Sequence, residues 1–154
     1  MIETTQGLED ARCIAATPGI SRLAFGSIDF CADLGCAHHR DILLPVRLEL
    51  VMASRLAQKP APFDGVTTQL DDLALTEADA RHARDVGMTG KLCIHPKQIS
   101  AVYRAFAPSE KDIAWAMRVL GLPDQGAVNV DGEMVDEPVR IRARAILAQV
   151  QTAP

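Results

Sequence analysis

Two periodicities alternate along this chain. Short apolar runs at Met1-Ile2, Leu23 to Phe25, Phe63 to Thr67 and Lys91 to Ile94 read as buried strands. Between them, apolar residues recur three and four apart, the spacing of a helix with one buried face. Leu8, Ala11, Ile14 and Ala15 predict a helix from Gly7 to Thr17, stopped by Pro18-Gly19. Asp33-Leu34-Gly35 reads as a loop. Asp41 is placed to cap a long helix through about Gln58, with Pro45 tolerated in its first turn. Thr76 is placed to cap a helix that runs to Val86 and closes at Gly87. Four strands, each followed by a helix or loop, predict right-handed parallel β/α units.

The pattern changes after Ile94. His95-Pro96-Lys97-Gln98 leads into a short helix ending near Phe106, and Ser109 with Asp112 opens another that reaches Leu120. Alternation from Gly126 to Val135 around Asp131-Gly132 predicts a β-hairpin. Pro138 then opens a last helix through Val150 that carries Arg140, Arg142 and Arg144. Alternate arginines of this kind read as a solvated face. The expected organisation is a partial barrel-like part at 1–107 and a helix, hairpin and helix extension at 108–154.

Composition changes this picture little. A chain of 154 residues, 48% hydrophobic and with a net charge of -4, has the apolar material for a core. No basic run suggests nucleic acid as a partner. No apolar stretch approaches the ~20 residues that span a bilayer, and no secretory leader is visible, which predicts a cytoplasmic protein without a membrane partner. Cys13, Cys31, Cys36 and Cys93 match neither a zinc ligand spacing nor a disulfide framework, and read as small buried thiols in a reducing cytoplasm.

Candidate chemistry enters with Glu3 and Asp29. They lie one strand-helix-strand unit apart, each just after a strand-like run. If those strands are parallel neighbours ~4.8 Å apart, both carboxylates reach the same end of the sheet. Two acids so placed suit a hard cation such as Mg²⁺, which takes oxygen ligands. The same spacing is also compatible with two unrelated solvated acids, one in a loop and one at a helix start. Asp136, just ahead of Pro138, reads as a helix cap. His95 reads as a strand-end histidine satisfied by backbone or as a substrate contact. His38 and His39 read as solvent-exposed, Asp71-Asp72 as a charged loop or cap, and Trp115 and Met117 as packing.

Four motifs in order carry a resemblance. They are Ile2-Glu3-Thr4; Ala24-Phe25-Gly26-Ser27-Ile28-Asp29-Phe30 with Asp33-Leu34-Gly35; Gly90-Lys91-Leu92-Cys93-Ile94-His95-Pro96-Lys97-Gln98-Ile99; and Asp131-Gly132-Glu133-Met134-Val135-Asp136-Glu137-Pro138. The chain resembles the C-terminal half of the citrate lyase β-subunit-like CoA-ester lyases, within the HpcH/HpaI aldolase superfamily. That resemblance implies a fold: α/β, the C-terminal half of a TIM (β/α)₈ barrel of about four β/α units, plus a helical and hairpin extension. It implies a Mg²⁺-dependent lyase that cleaves or forms a carbon–carbon bond between a 2-oxo acid and an acyl thioester, of malyl, citramalyl or citryl type. The thioester partner is an acyl-CoA or an acyl-carrier thioester. Glu3 and Asp29 match the family's metal-binding carboxylates. Asp136 matches the acid/base that the extension supplies, typically to a neighbouring subunit. The stretch Gly90 to Gln98 matches the last barrel strand and its following turn.

A complete barrel of this kind needs ~250 residues. The chain is therefore expected to lack the first four strands, with the basic residues that bind the substrate carboxylate, and to act as a homo-oligomer or with a complementing N-terminal half. Two other functions fit the residues: a class II aldolase acting on free hydroxy-keto acids, and a non-catalytic binding or assembly subunit.

Overall fold

Ile2 begins the architecture. Its backbone N–H donates to Ala24 O at 2.8 Å, and its carbonyl accepts from Gly26 N at 2.8 Å, so Ile2 and Phe25 pair in parallel. The next bridge joins Ala24 to Phe63, through Phe63 N to Leu23 O at 3.1 Å and Phe25 N to Phe63 O at 2.9 Å. Strand β1 (Phe63–Asp64) pairs in parallel with β2 (Gly90–Lys91). Four parallel segments thus lie side by side in chain order, the arrangement that the alternating periods predict. They are shorter than expected: of the run Phe63 to Thr67 only Phe63 and Asp64 are paired in a strand, and of the run Lys91 to Ile94 only Lys91, together with Gly90 ahead of it.

The computed structural model describes residues 1–123, 126, 128–130 and 133–151. The chain divides into two units, Met1–Phe106 and Ala107–Pro154.

In the first unit the connecting helices are α1 (Thr5–Glu9), α2 (Ala11–Ala16), α3 (Ser27–Leu34), α4 (Leu44–Leu56), α5 (Leu73–Val86) and α6 (Ile99–Phe106). A 3₁₀ turn at Pro96–Gln98 precedes α6. The register puts Ile2, Phe25, Asp64 and Lys91 in one row, and all four are buried. Ile2 and Phe25 pack there with Ala11 and Ala15 of α2, Phe30 of α3, and Val46 and Leu50 of α4. Side chains alternate between faces of a sheet. The alternate row is Ala24, Phe63 and Gly90, and Phe63 is exposed at 36%, with the Arg22 guanidinium 4.4 Å over its ring. The expectation of buried thiols is met at Cys31 and corrected at Cys13, which is exposed.

Several boundaries differ from the sequence reading, each for a local reason. The helix expected at Gly7 to Thr17 is two short helices, interrupted at Asp10. Asp33 and Leu34 are the last turn of α3 rather than a loop, and Gly35 closes it at φ 74°, a left-handed conformation that costs glycine little. Asp33 instead accepts hydrogen bonds from Thr5 N and Thr5 Oγ1, both at 2.7 Å, which hold its carboxyl below the usual range. Helix α4 starts at Leu44, not at Asp41. Helix α5 starts at Leu73 because Asp72 caps it, accepting from Leu75 N at 2.8 Å. Thr76 lies inside that helix, its hydroxyl bonded back to Asp72 O.

The second unit holds α7 (Glu110–Leu120), an antiparallel pair β3 (Val128–Val130) and β4 (Glu133–Val135), and α8 (Glu137–Gln151). Ser109 and Asp112 form the reciprocal capping box that opens α7. The two strands of the expected hairpin are present, while its Asp131-Gly132 turn lies outside the described residues. Ala116, Val119, Val135 and Ala143 form the core, with Trp115 packed on it and Met117 exposed. The expected solvated arginine face is corrected at Arg140. That side chain is buried and donates to the carbonyls of Val119, Leu122 and Pro123, binding the orphaned end of α7. Arg142 lies 5.0 Å from the Trp115 ring, and Arg144 pairs with Glu137. Among the described residues, no helix is long and apolar enough to cross a membrane.

Candidate functional site

Glu3 follows Ile2 at the carboxyl end of the first segment and is half-buried. Its side chain lies over Gly26, at the same end of the second segment. A Cβ at Gly26 would fall 2.2 Å from Glu3 Cγ and 2.8 Å from Oε1. Glycine at that position therefore makes room for the carboxylate.

Asp29 is not at a strand end. The second segment stops at Phe25, and Asp29 sits in the first turn of α3, exposed, three residues beyond Gly26. A helix N-terminus favours a carboxylate there whether or not a cation binds. The first two parallel segments thus bring Glu3 and the start of α3 to one end of the sheet. Among the described residues no group of three or more His, Cys, Asp or Glu side chains could hold a metal. Two carboxylates suit Mg²⁺, which keeps several waters and takes one or two protein carboxylates, and do not suit a structural zinc site.

Asp136 immediately precedes α8 and is half-buried. Its Oδ1 accepts from Val139 N at 3.2 Å, and its carbonyl accepts from Arg140 N at 3.0 Å, so it caps the helix. His95 Nδ1 accepts from Lys97 N at 3.1 Å, the backbone-satisfied arrangement.

One charged cluster escaped sequence reasoning. Asp64 is fully buried between two cations. Arg47 Nε donates to its Oδ1 at 2.7 Å and Lys91 Nζ to its Oδ2 at 3.0 Å. Burial alone would raise the Asp64 carboxyl, but Lys91 and Arg47 outweigh it and hold the group below the usual carboxylate range. Lys91 Nζ also donates to Gly65 O at 2.6 Å. Gly65 in turn leaves room for Ser27, whose Oγ lies 2.1 Å from where a Cβ on Gly65 would be. Ser27 Oγ contacts His38 Nε2 at 2.9 Å. Although exposed as a residue, His38 is pushed below its usual pKa by partial burial and by the charges of Arg47 and Lys91. The available sequence signal was an acid and a lysine in two consecutive strands; the match to Arg47 required knowing the inward face of α4.

The sequence model of the HpcH/HpaI aldolase/citrate lyase family matches residues 1–96. The chain belongs to that family. The match takes in Glu3, Asp29, Asp64 and Lys91. A citrate lyase subunit beta-like protein of Deinococcus radiodurans is 36% identical over 155 residues, covering 96% of this chain and 54% of that protein. A (3S)-malyl-CoA thioesterase of Cereibacter sphaeroides is 32% identical, over 98% of this chain and 55% of the relative. Among family structures, protein CitE of Mycobacterium tuberculosis in complex with magnesium, acetoacetate and coenzyme A superposes with a TM-score of 0.87 at 32% identity, over 96% of this chain and 58% of that one. The chain spans about half the length of the relatives it matches.

Proposed function

We infer that this chain is the half-barrel of a Mg²⁺-dependent carbon–carbon lyase, whose four parallel segments form the C-terminal part of a (β/α)₈ barrel. The substrate is a 3-hydroxy acyl thioester, of a malyl, citramalyl or citryl type, on CoA or an acyl carrier. The observation that carries this reading is Glu3 seated over Gly26, at the end of the sheet where α3 begins with Asp29. Family membership, and the magnesium and coenzyme A held by the Mycobacterium tuberculosis protein, support it.

In this reading Glu3 and Asp29 hold the cation. When bound, Mg²⁺ supplies positive charge for the oxygens of the hydroxy acid. Asp136 acts as the acid/base of the extension, in a neighbouring copy of the chain. Capping α8 engages its Oδ1 and orients the carboxylate. Asp136 takes the substrate hydroxyl proton as the carbon–carbon bond breaks. The hydroxyl carbon becomes the carbonyl of a 2-oxo acid, and the electron pair passes to the thioester α-carbon, which takes up a proton from Asp136. Run backwards, the same residues join the two products.

The test uses the chain together with the half that completes the barrel, loaded with Mg²⁺ and offered malyl-, citramalyl- and citryl-thioesters beside free hydroxy-keto acids. Cleavage of a thioester is expected. Cleavage of the free acids alone would make the protein an aldolase of the second class, and cleavage of neither would leave a binding or assembly role. Calorimetry of Mg²⁺ with Glu3→Ala and Asp29→Ala isolates the metal site: each variant is expected to bind more weakly than the parent.

A further inference from the structure

A second site lies in the first unit, with neither Glu3 nor Asp29 in its lining. It is a cavity of about 290 Å³ between the loop that joins α3 to α4 and the segment that follows β1. His38, Arg40, Arg47, Thr67, Gln69 and Asp79 contribute its polar lining.

Charge balance singles it out. Behind the wall, Asp64 alone faces two buried cations, Arg47 of the lining and Lys91 beyond it. Their side chains are 4% and 1% exposed, so water screens them poorly. In the wall, Asp79 lies 3.9 Å from Arg40 and accepts from Thr67 Oγ1 at 2.8 Å. Three cations therefore face two carboxylates. At the rim Asp41 sits 3.8 Å from His39, both well exposed, and offsets little. Burial is the main cause that holds the His38 ring below its usual pKa; Arg47 and Lys91 add to it, and Asp79 and Asp64 work against them.

Donors are also left over. A guanidinium carries five N–H groups. Those of Arg47 make three hydrogen bonds: Nε to Asp64 Oδ1 at 2.7 Å, Nη2 to Asp64 Oδ2 at 3.4 Å, and Nη1 to the Arg40 carbonyl at 3.2 Å. One hydrogen on each terminal nitrogen remains. Arg47 is buried and lines the cavity, and Arg40 stands beside it on a backbone that Arg47 itself holds.

We propose that this cavity binds a small oxyanion carrying two negative charges, a phosphate group or a dicarboxylate. The anion balances the excess of Arg47, Lys91 and Arg40 over Asp64 and Asp79, and accepts from the unspent guanidinium hydrogens. A guanidinium fork suits both chemistries. The proposal is independent of the lyase reading, since it uses neither the metal carboxylates nor Asp136.

The experiment is calorimetric titration of the full chain with inorganic phosphate and, separately, with malonate, in low salt with a chelator present to keep the metal site out of play. Saturable binding of at least one anion is expected. Phosphate alone identifies a phosphate site, malonate alone a dicarboxylate site, and both a general oxyanion site. Arg40 is half-exposed, and Arg40→Gln is expected to weaken binding about tenfold, the value of one charge-assisted hydrogen bond. Asp79→Asn keeps an acceptor for Thr67 but removes the opposing charge, and is expected to tighten binding. A structural role for either residue would not produce opposite signs. The double variant Glu3→Ala with Asp29→Ala is expected to bind as the parent does. The proposal fails if neither anion saturates, if the Arg40 and Asp79 variants leave affinity unchanged or shift it in one direction, or if the double variant abolishes binding.

Discussion

Replacing Asp64 with Asn tests the buried charge cluster most directly. The side chain keeps its shape and loses its charge, which leaves Arg47 and Lys91, 4% and 1% exposed, with no counter-charge. Stranding buried charge in this way costs about 3–5 kcal/mol, a large share of the about 5–15 kcal/mol that holds a domain folded. Lys91→Met is the informative contrast. It removes two hydrogen bonds, to Asp64 Oδ2 and to Gly65 O, but leaves Asp64 and Arg47 as a balanced pair. Its cost is about 1–3 kcal/mol, that of unsatisfied buried acceptors. Urea denaturation followed by circular dichroism measures both. Equal costs, or a milder loss for Asp64→Asn than for Lys91→Met, would refute the charge argument. The pH dependence carries a second sign. Asp64 is held below the ordinary carboxylate pKa, so its contribution is present in full above about pH 4 and is lost as pH falls through the lower folded value. Denaturation midpoints that change near neutral pH in the parent but not in Asp64→Asn would contradict that assignment.

Gly26→Ala is expected to lower Mg²⁺ affinity without touching a ligand, because the new methyl takes the space of Glu3 Cγ; calorimetry checks it, and unchanged affinity would detach Glu3 from the site. The His38 ring is expected to titrate below its ordinary 6.5, read from its imidazole proton resonance, and to shift upward in Arg47→Met as a positive neighbour is lost. Arg140→Ala is expected to cost about 1–3 kcal/mol, since carbonyls of Val119, Leu122 and Pro123 lose their buried donor; thermal melting measures it.

The sequence was most legible where one local rule acts without competition. Ser109 and Asp112 form their capping box at the expected place, and Gly87 closes α5 at φ 103° as a C-terminal glycine should. It was less legible where two residues compete for one role. Asp72 and Thr76 are both capable caps, and Asp72 wins by reaching Leu75 N. Asp33 looked like a loop acid because its partner, Thr5, lies 28 positions away. Arg140 looked solvated because nothing in its own helix reveals that the carbonyls of Val119 and Leu122 end beside it. The same limit hid the Asp64 cluster. Strand order places Asp64 beside Lys91, but only the packed face of α4 brings Arg47 to the other oxygen.

Among the described residues, the Ile2 segment pairs only with Phe25, and β2 pairs only with β1. Each outer edge therefore presents backbone groups without a sheet partner. The row containing Ile2, Phe25, Asp64 and Lys91 is buried, whereas the alternate row leaves Phe63 more than a third exposed. Parallel sheets are stable when both faces are covered, and open edges invite another strand. Two copies of this chain, or this chain with a complementing half, would satisfy both demands. Sedimentation of the isolated chain at micromolar concentration is expected to show a species larger than one chain, and addition of the complementing half is expected to displace it. A monodisperse monomer with a cooperative melt would mean that the four segments are satisfied alone, and the half-barrel reading would fall with the assembly.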